Sequence, residues 1–249
     1  MNTLTNWIGR YLDTPLKNYE AVATSSQALL SEVLQPGDIL LVEGDRRISV
    51  AIKYLTQSTW SHAAIYVGDV CKQGGADPDV LIEAELKDGV VYSPLSKYVD
   101  LHTRICRPYK LTDDDRNKLL TFLTERIGHQ YDMKNIIDLA RYLLPTPPVP
   151  VHWRRRMIAL GSGDPTRAIC STLIAEAFQS ICYPILPKIK TESSSQNRLA
   201  KQEIMHIRHH SLFTPRDFDI SPFFEVVKPS LHNDFNYKDI KWGLSEASL

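Results

Sequence analysis

The chain has 249 residues, 43% of them hydrophobic, and its 29 Lys and Arg are balanced by 29 Asp and Glu. That length and apolar content support a folded core, read as one domain with extensions, and formal neutrality leaves no global attraction to nucleic acid. Four cysteines, at 71, 106, 170 and 182, show no CxxC pairing and read as free thiols in a reducing compartment.

Residues 3–33 read as one or two helices, with Trp7, Ile8, Tyr11 and Leu12 on one face and Ala28, Leu29, Leu30 and Val33 further along. No basic-then-apolar export pattern opens the chain, and no apolar run reaches the 18 residues of a spanning helix. The expected location is the cytoplasm, with a contact at the periphery of the inner membrane. Pro36-Gly37-Asp38 is a turn, and Ile39 to Val42 is an apolar run typical of a buried strand. Ile48 to Leu55 is helical in period. Ser61 to Gly68, Val80 to Leu86, the segment from Val90 and Arg104 to Arg107 read as strands. Thr112, followed by Asp113 to Asp115, caps a helix that carries Leu119, Leu120, Phe122, Leu123 and Ile127 and stops at Gly128.

Residues 145–150 are proline-rich, and His152, Trp153, Arg154, Arg155 and Arg156 follow. This reads as an insert of about residues 143–165, either a solvated connector or a lid or patch in which Trp153 and the three arginines offer a peripheral contact to anionic headgroups. Leu173, Ile174, Ala177, Phe178 and Ile181 then recur at helical spacing after the start signals Asp164, Pro165 and Thr166. Strands precede helices, so the fold class is α+β. The expected organisation is a helical extension over 1–33, a core over 34–190, and a C-terminal extension over 191–249 packed on that core.

Three residues carry the chemistry. Cys170 falls in the first turn of the late helix, where unpaired N–H groups and the positive dipole end favour a thiol acting as nucleophile. His62 opens a strand that places His62, Ala64 and Tyr66 on one face. Glu83 and Glu85 share a face of the next strand, and either one serves as the third group that holds the imidazole. Alternation does not separate the two. His206 with His209 or His210 has ligand-like spacing for a helix, weakened by Arg208 and the lack of a nearby carboxylate; a solvated cluster is the preferred reading, and no metal or cofactor is expected.

Pro36-Gly37-Asp38-Ile39, Trp60-Ser61-His62-Ala63, Ile82-Glu83-Ala84, Gly128-His129-Gln130-Tyr131-Asp132 and Cys170-Ser171-Thr172-Leu173 resemble successive motifs of the permuted papain-like cysteine hydrolases, in the YiiX/YebB-like branch of the NlpC superfamily. Residues 214–219 and 221–224 also resemble a C-terminal segment of that group. The resemblance implies an antiparallel sheet with the nucleophile helix packed on it. It further implies Cys170 as nucleophile, His62 as general base and acid, and Glu83 as the residue that orients it. Tyr131 matches a motif tyrosine near the site; Ser61 and Tyr66 are the other candidates for substrate contact. The implied activity is hydrolysis or acyl transfer at an amide or ester, with a lipid, a small molecule or a cell-wall-type peptide as substrate. A catalytically silent binding module on the same fold is the alternative.

Overall fold

The computed structural model describes residues 11, 14–15, 23, 25–70, 77–85, 88–130, 169–193, 201–206, 209–210 and 213–232. Its centre is β1 (Ile39–Val42), whose four residues are all shielded from solvent. A strand with no polar side chain must be covered on both faces, and this one is. It pairs antiparallel with β2 (His62–Tyr66), Val42 facing His62 and Ile39 facing Ile65, and on its other side with β5 (Thr103–Pro108). β3 (Asp79–Glu85) and β4 (Gly89–Pro94) extend the sheet beyond β2, and β8 (Phe224–Val227) closes it beyond β5. The six-stranded order is β4-β3-β2-β1-β5-β8, every pairing antiparallel.

Strand alternation splits the core into two layers. Ile39, Leu41, Ala63, Ile65 and Ile82 point to one face, where Leu173, Ile174, Ala177 and Phe178 of α4 (Ile169–Ser180) pack on them. Each fully buried large side chain here contributes about 1.5–3 kcal/mol. Leu40, Val42, Ala64, Leu81 and Ile105 point the other way, onto Leu30 and Val33 of α1 (Gln27–Val33) and onto Leu95 and Tyr98 of a short 3-10 turn (Leu95–Tyr98). The alanine pair at 63 and 64 lets both layers come close to β2. The antiparallel sheet with helices is therefore the α+β architecture expected from the order of elements.

α2 (Arg47–Thr56) follows β1, and α3 (Asp113–Thr124) begins where expected, Asp115 N donating to the Thr112 hydroxyl at 3.2 Å. α4 ends at Ser180, so Ile181, placed on the helix by its spacing, lies in the turn beyond it; Cys182 beside it is exposed, with a left-handed φ of 56°. β6 (Lys188–Ser193) and β7 (Lys201–His206) form a separate hairpin. His206 therefore ends a strand, and the helical spacing considered for His206, His209 and His210 does not exist. Among the described residues no group of three or more His, Cys, Asp or Glu is placed to hold a metal. No described helix is long and apolar enough to cross a membrane. α5 (Pro215–Asp219) and α6 (Pro229–His232) flank β8. The proline- and arginine-rich insert, with Trp153 and Arg154 to Arg156, lies outside the described residues.

Candidate active site

The β2–β3 ladder joins Ile65 to Ile82 and Tyr66 to Leu81, at the end of β2 away from His62. Continuing that register sets Glu83 against Ala64 and Glu85 against His62. Glu83 is thus the diagonal neighbour of His62 on a shared face, within reach of a long side chain. The structure resolves the choice between the two glutamates: Glu83 Oε2 lies 2.6 Å from His62 Nε2, whereas Glu85 bonds to Lys97. With Nε2 engaged, Nδ1 is the ring nitrogen left for a second partner. Cys170 acts on the same ring, its charge and side-chain contact favouring the protonated imidazole.

Cys170 is reached from a different layer. α4 packs on the face carrying Ala63 and Ile65, while His62 shares its side of the strand with Ala64. Since His62 is the first residue of β2 and Cys170 the second of α4 as described, the two meet around the strand end rather than across a face. Next to the sulfur, the Ser171 hydroxyl donates to Phe213 O at 2.7 Å, tying the first turn of α4 to the chain entering α5. The start signals read at 164–166 lie outside the described residues.

The electrostatics follow from burial and pairing. Burial alone would push His62 down. The charge and hydrogen bond of Cys170, then the hydrogen bond and charge of Glu83, outweigh it and raise the imidazole from 6.5 to about 10. Burial likewise favours a protonated Glu83, which is 1% exposed, but the bond and charge of His62 and then Lys97 hold it well below the usual carboxylate range. Lys97 Nζ donates to Glu83 Oε1 at 2.6 Å and also to Glu85, and the Tyr98 hydroxyl donates to Glu83 Oε2. Burial and then the charge of Glu83 raise the Tyr98 phenol, so it stays a donor. Lys97 and Tyr98 were not singled out from the sequence. A Ser-Lys-Tyr turn after an edge strand carries no pattern of its own, and its link to Glu83 is made only by the fold.

The other predicted contacts are placed as follows. Ser61 adjoins His62 but is 2% exposed, its Oγ accepting from Gly44 N at 2.9 Å, which fixes the loop after β1. Tyr66 is half-buried at the far end of β2, roughly 13 Å along the strand from His62, packed on the second layer. The structure does not bring it to the sulfur. Tyr131 lies outside the described residues; the chain leading to it is pinned beside β4, where Val90 N donates to His129 O at 3.0 Å and Gly128 N to Val90 O at 2.8 Å. The C-terminal motif anchors beneath the site. Asp219 accepts from Trp60 Nε1 at 3.0 Å and from Arg104 at 2.6 Å, with the Arg104 guanidinium 4.9 Å over the Trp60 ring.

A sulfur, an imidazole and a buried carboxylate grouped on an α+β scaffold make the arrangement that cysteine hydrolases use. Residues 33–142 match the model of the family described as permuted papain-like amidase enzyme, YaeF/YiiX, C92 family. That span holds His62 and Glu83 and stops short of Cys170. The matched family is described as one of permuted papain-like amidases, the same group that the motifs resemble. A crystal structure described as the metalloprotein yiiX of Escherichia coli O157:H7 is similar at 16% identity, covering 78% of this chain and 96% of its own, with a TM-score of 0.45. No curated protein matches the chain.

Proposed function

We propose that this chain is a cysteine hydrolase or acyltransferase that cleaves an amide or ester bond through Cys170, His62 and Glu83. The observation that carries the reading is His62 held between the Glu83 carboxylate on Nε2 and the Cys170 side chain. The Cys170 sulfur attacks the carbonyl carbon, forming a C–S bond and an oxyanion, which accepts from the Cys170 backbone N–H at the start of the helix. Collapse breaks the bond to the leaving amine or alcohol, which takes the proton from the His62 imidazolium. Water, or another acceptor, then attacks the thioester. His62 takes the proton of that nucleophile, the C–S bond breaks, and the acyl product leaves with the sulfur restored. Glu83 keeps the imidazole turned toward the sulfur and balances its charge throughout.

Amides lead among the substrates because the matching family is one of amidases; esters of lipids and cell-wall-type peptides are the further classes. Tyr131 is proposed as a pocket residue. Trp153 and Arg154 to Arg156 are proposed as a peripheral contact that keeps a cytoplasmic protein near a membrane surface. The test is turnover by wild type and Cys170→Ala on peptide amides, N-acyl amino acids and phospholipids. Turnover of at least one class that disappears in Cys170→Ala supports the reading, whereas turnover surviving in the variant, or none on any class by the wild type, overturns it.

A further inference from the structure

Glu83 carries more partners than a histidine-orienting carboxylate needs. One of its oxygens would suffice to hold His62, yet Oε2 accepts from both His62 and Tyr98, and Oε1 accepts from Lys97. In a site 1% exposed, an idle Oε1 would be a buried unpaired acceptor, and Lys97 removes that cost. Lys97 is not exclusive to Glu83. It also pairs with Glu85, which is 32% exposed and has no bond to His62. The result is a line of alternating charge: Cys170, His62, Glu83, Lys97, Glu85. Around His62 stand Cys170 from α4, Glu83 from β3 and Tyr98 from the 3-10 turn, with Lys97 and Glu85 one contact further out. β1 presents the apolar Val42 opposite it.

We infer that Lys97 is a positioning residue that acts on His62 through Glu83, drawing the carboxylate's charge away from the imidazolium, and that Glu85 acts as the counterweight that limits this pull. The purpose rests on the hydrolase reading: an imidazolium held too tightly does not surrender its proton to a leaving group. Tyr98 fixes the plane of the carboxylate on the oxygen that His62 uses, its ring 5.8 Å from the imidazole.

The consequence is a pair of opposite signs. Removing the ammonium strengthens the hold of Glu83 on the imidazolium, so Lys97→Met raises the His62 titration midpoint by about one pH unit, while Lys97→Arg, which keeps the charge, holds it within about 0.3. Glu85→Gln leaves Lys97 wholly to Glu83 and removes a negative charge from the line, so it lowers the midpoint by a few tenths. A role confined to folding moves neither. The experiment is an NMR titration of the His62 ring resonances in the full chain, assigned by their loss in His62→Ala, for wild type and the three variants. A rise in Lys97→Met with a fall in Glu85→Gln supports the inference; midpoints unmoved in both, or a fall in Lys97→Met, overturn it. If Lys97→Met does not fold, Lys97→Gln takes its place, and an unmoved midpoint in Glu85→Gln is sufficient to overturn it. The titration needs no substrate, so its outcome is independent of whether turnover is found. Activity that depends on Cys170 together with unmoved midpoints discards this inference and keeps the hydrolase.

Discussion

Glu83→Gln preserves side-chain volume and removes the charge on which three donors converge. A glutamine offers one acceptor oxygen where the carboxylate has two, and its NH2 group must face at least one of His62, Lys97 and Tyr98. Removing one member of a buried pair costs about 3–5 kcal/mol. His62 is 23% exposed and Lys97 33% exposed, so both regain some water, and the lower end, about 3 kcal/mol, is expected. The pH dependence has a definite sign. The folded-state value of His62 is raised, so its contribution is complete below about 6.5 and is lost as the pH climbs toward about 10. Glu83 is depressed, so its contribution is present above its ordinary carboxylate range and is lost on acidification below that range. These are two views of one pair and are counted once. The raised His62 value is shared between the sulfur, which ranks first among the stabilising partners, and the carboxylate, so only part of it belongs to Glu83. The assay is guanidinium unfolding of wild type and Glu83→Gln at about pH 6 and about pH 9.5. The stability gap should be about 3 kcal/mol at the lower pH and should narrow at the higher. A gap that is the same at both, or wider in alkali, refutes the reasoning. Turnover should fall by about a hundred- to ten-thousand-fold in the same variant, because the imidazole loses its orienting partner.

Three further outcomes are expected. Asp38→Asn should lose about 3 kcal/mol of unfolding free energy, since Asp38 is 1% exposed and takes both arms of Arg107, at 2.9 and 2.7 Å, while that guanidinium also reaches Val33 O. Gly89→Ala should lower the thermal midpoint, because the backbone sits at a φ of +74° and an added Cβ would lie 2.3 Å from His129 O; an unchanged midpoint would show that the 128–130 segment gives way freely. Cys106 is buried and pushed up to about 12, chiefly by desolvation, so mass spectrometry after brief alkylation at neutral pH should find it unmodified while exposed Cys182 reacts.

The elements with a strong period or a clear cap were legible in the chain. Ile39 to Val42 has no polar residue and becomes the central strand. Thr112 with its acidic run caps α3, and the apolar spacing after Cys170 becomes the face of α4. Local chemistry sets these, because a hydroxyl at a helix start or a two-residue alternation acts over a few residues. The choice between Glu83 and Glu85 was not legible. Both sit on one strand face, and only the register against β2, together with Lys97 rising from the 3-10 turn, gives His62 to one and leaves the other outside. The weak metal reading of His206, His209 and His210 failed for the same reason, since three apart has meaning only on a helix and the residues ending at His206 form a hairpin strand. Residue type and short-range periodicity thus determined which groups were available for chemistry. Their meeting was decided by tertiary structure, because β2, β3 and α4 approach one another through packing of side chains far apart in sequence, and no local pattern encodes the distance across that gap.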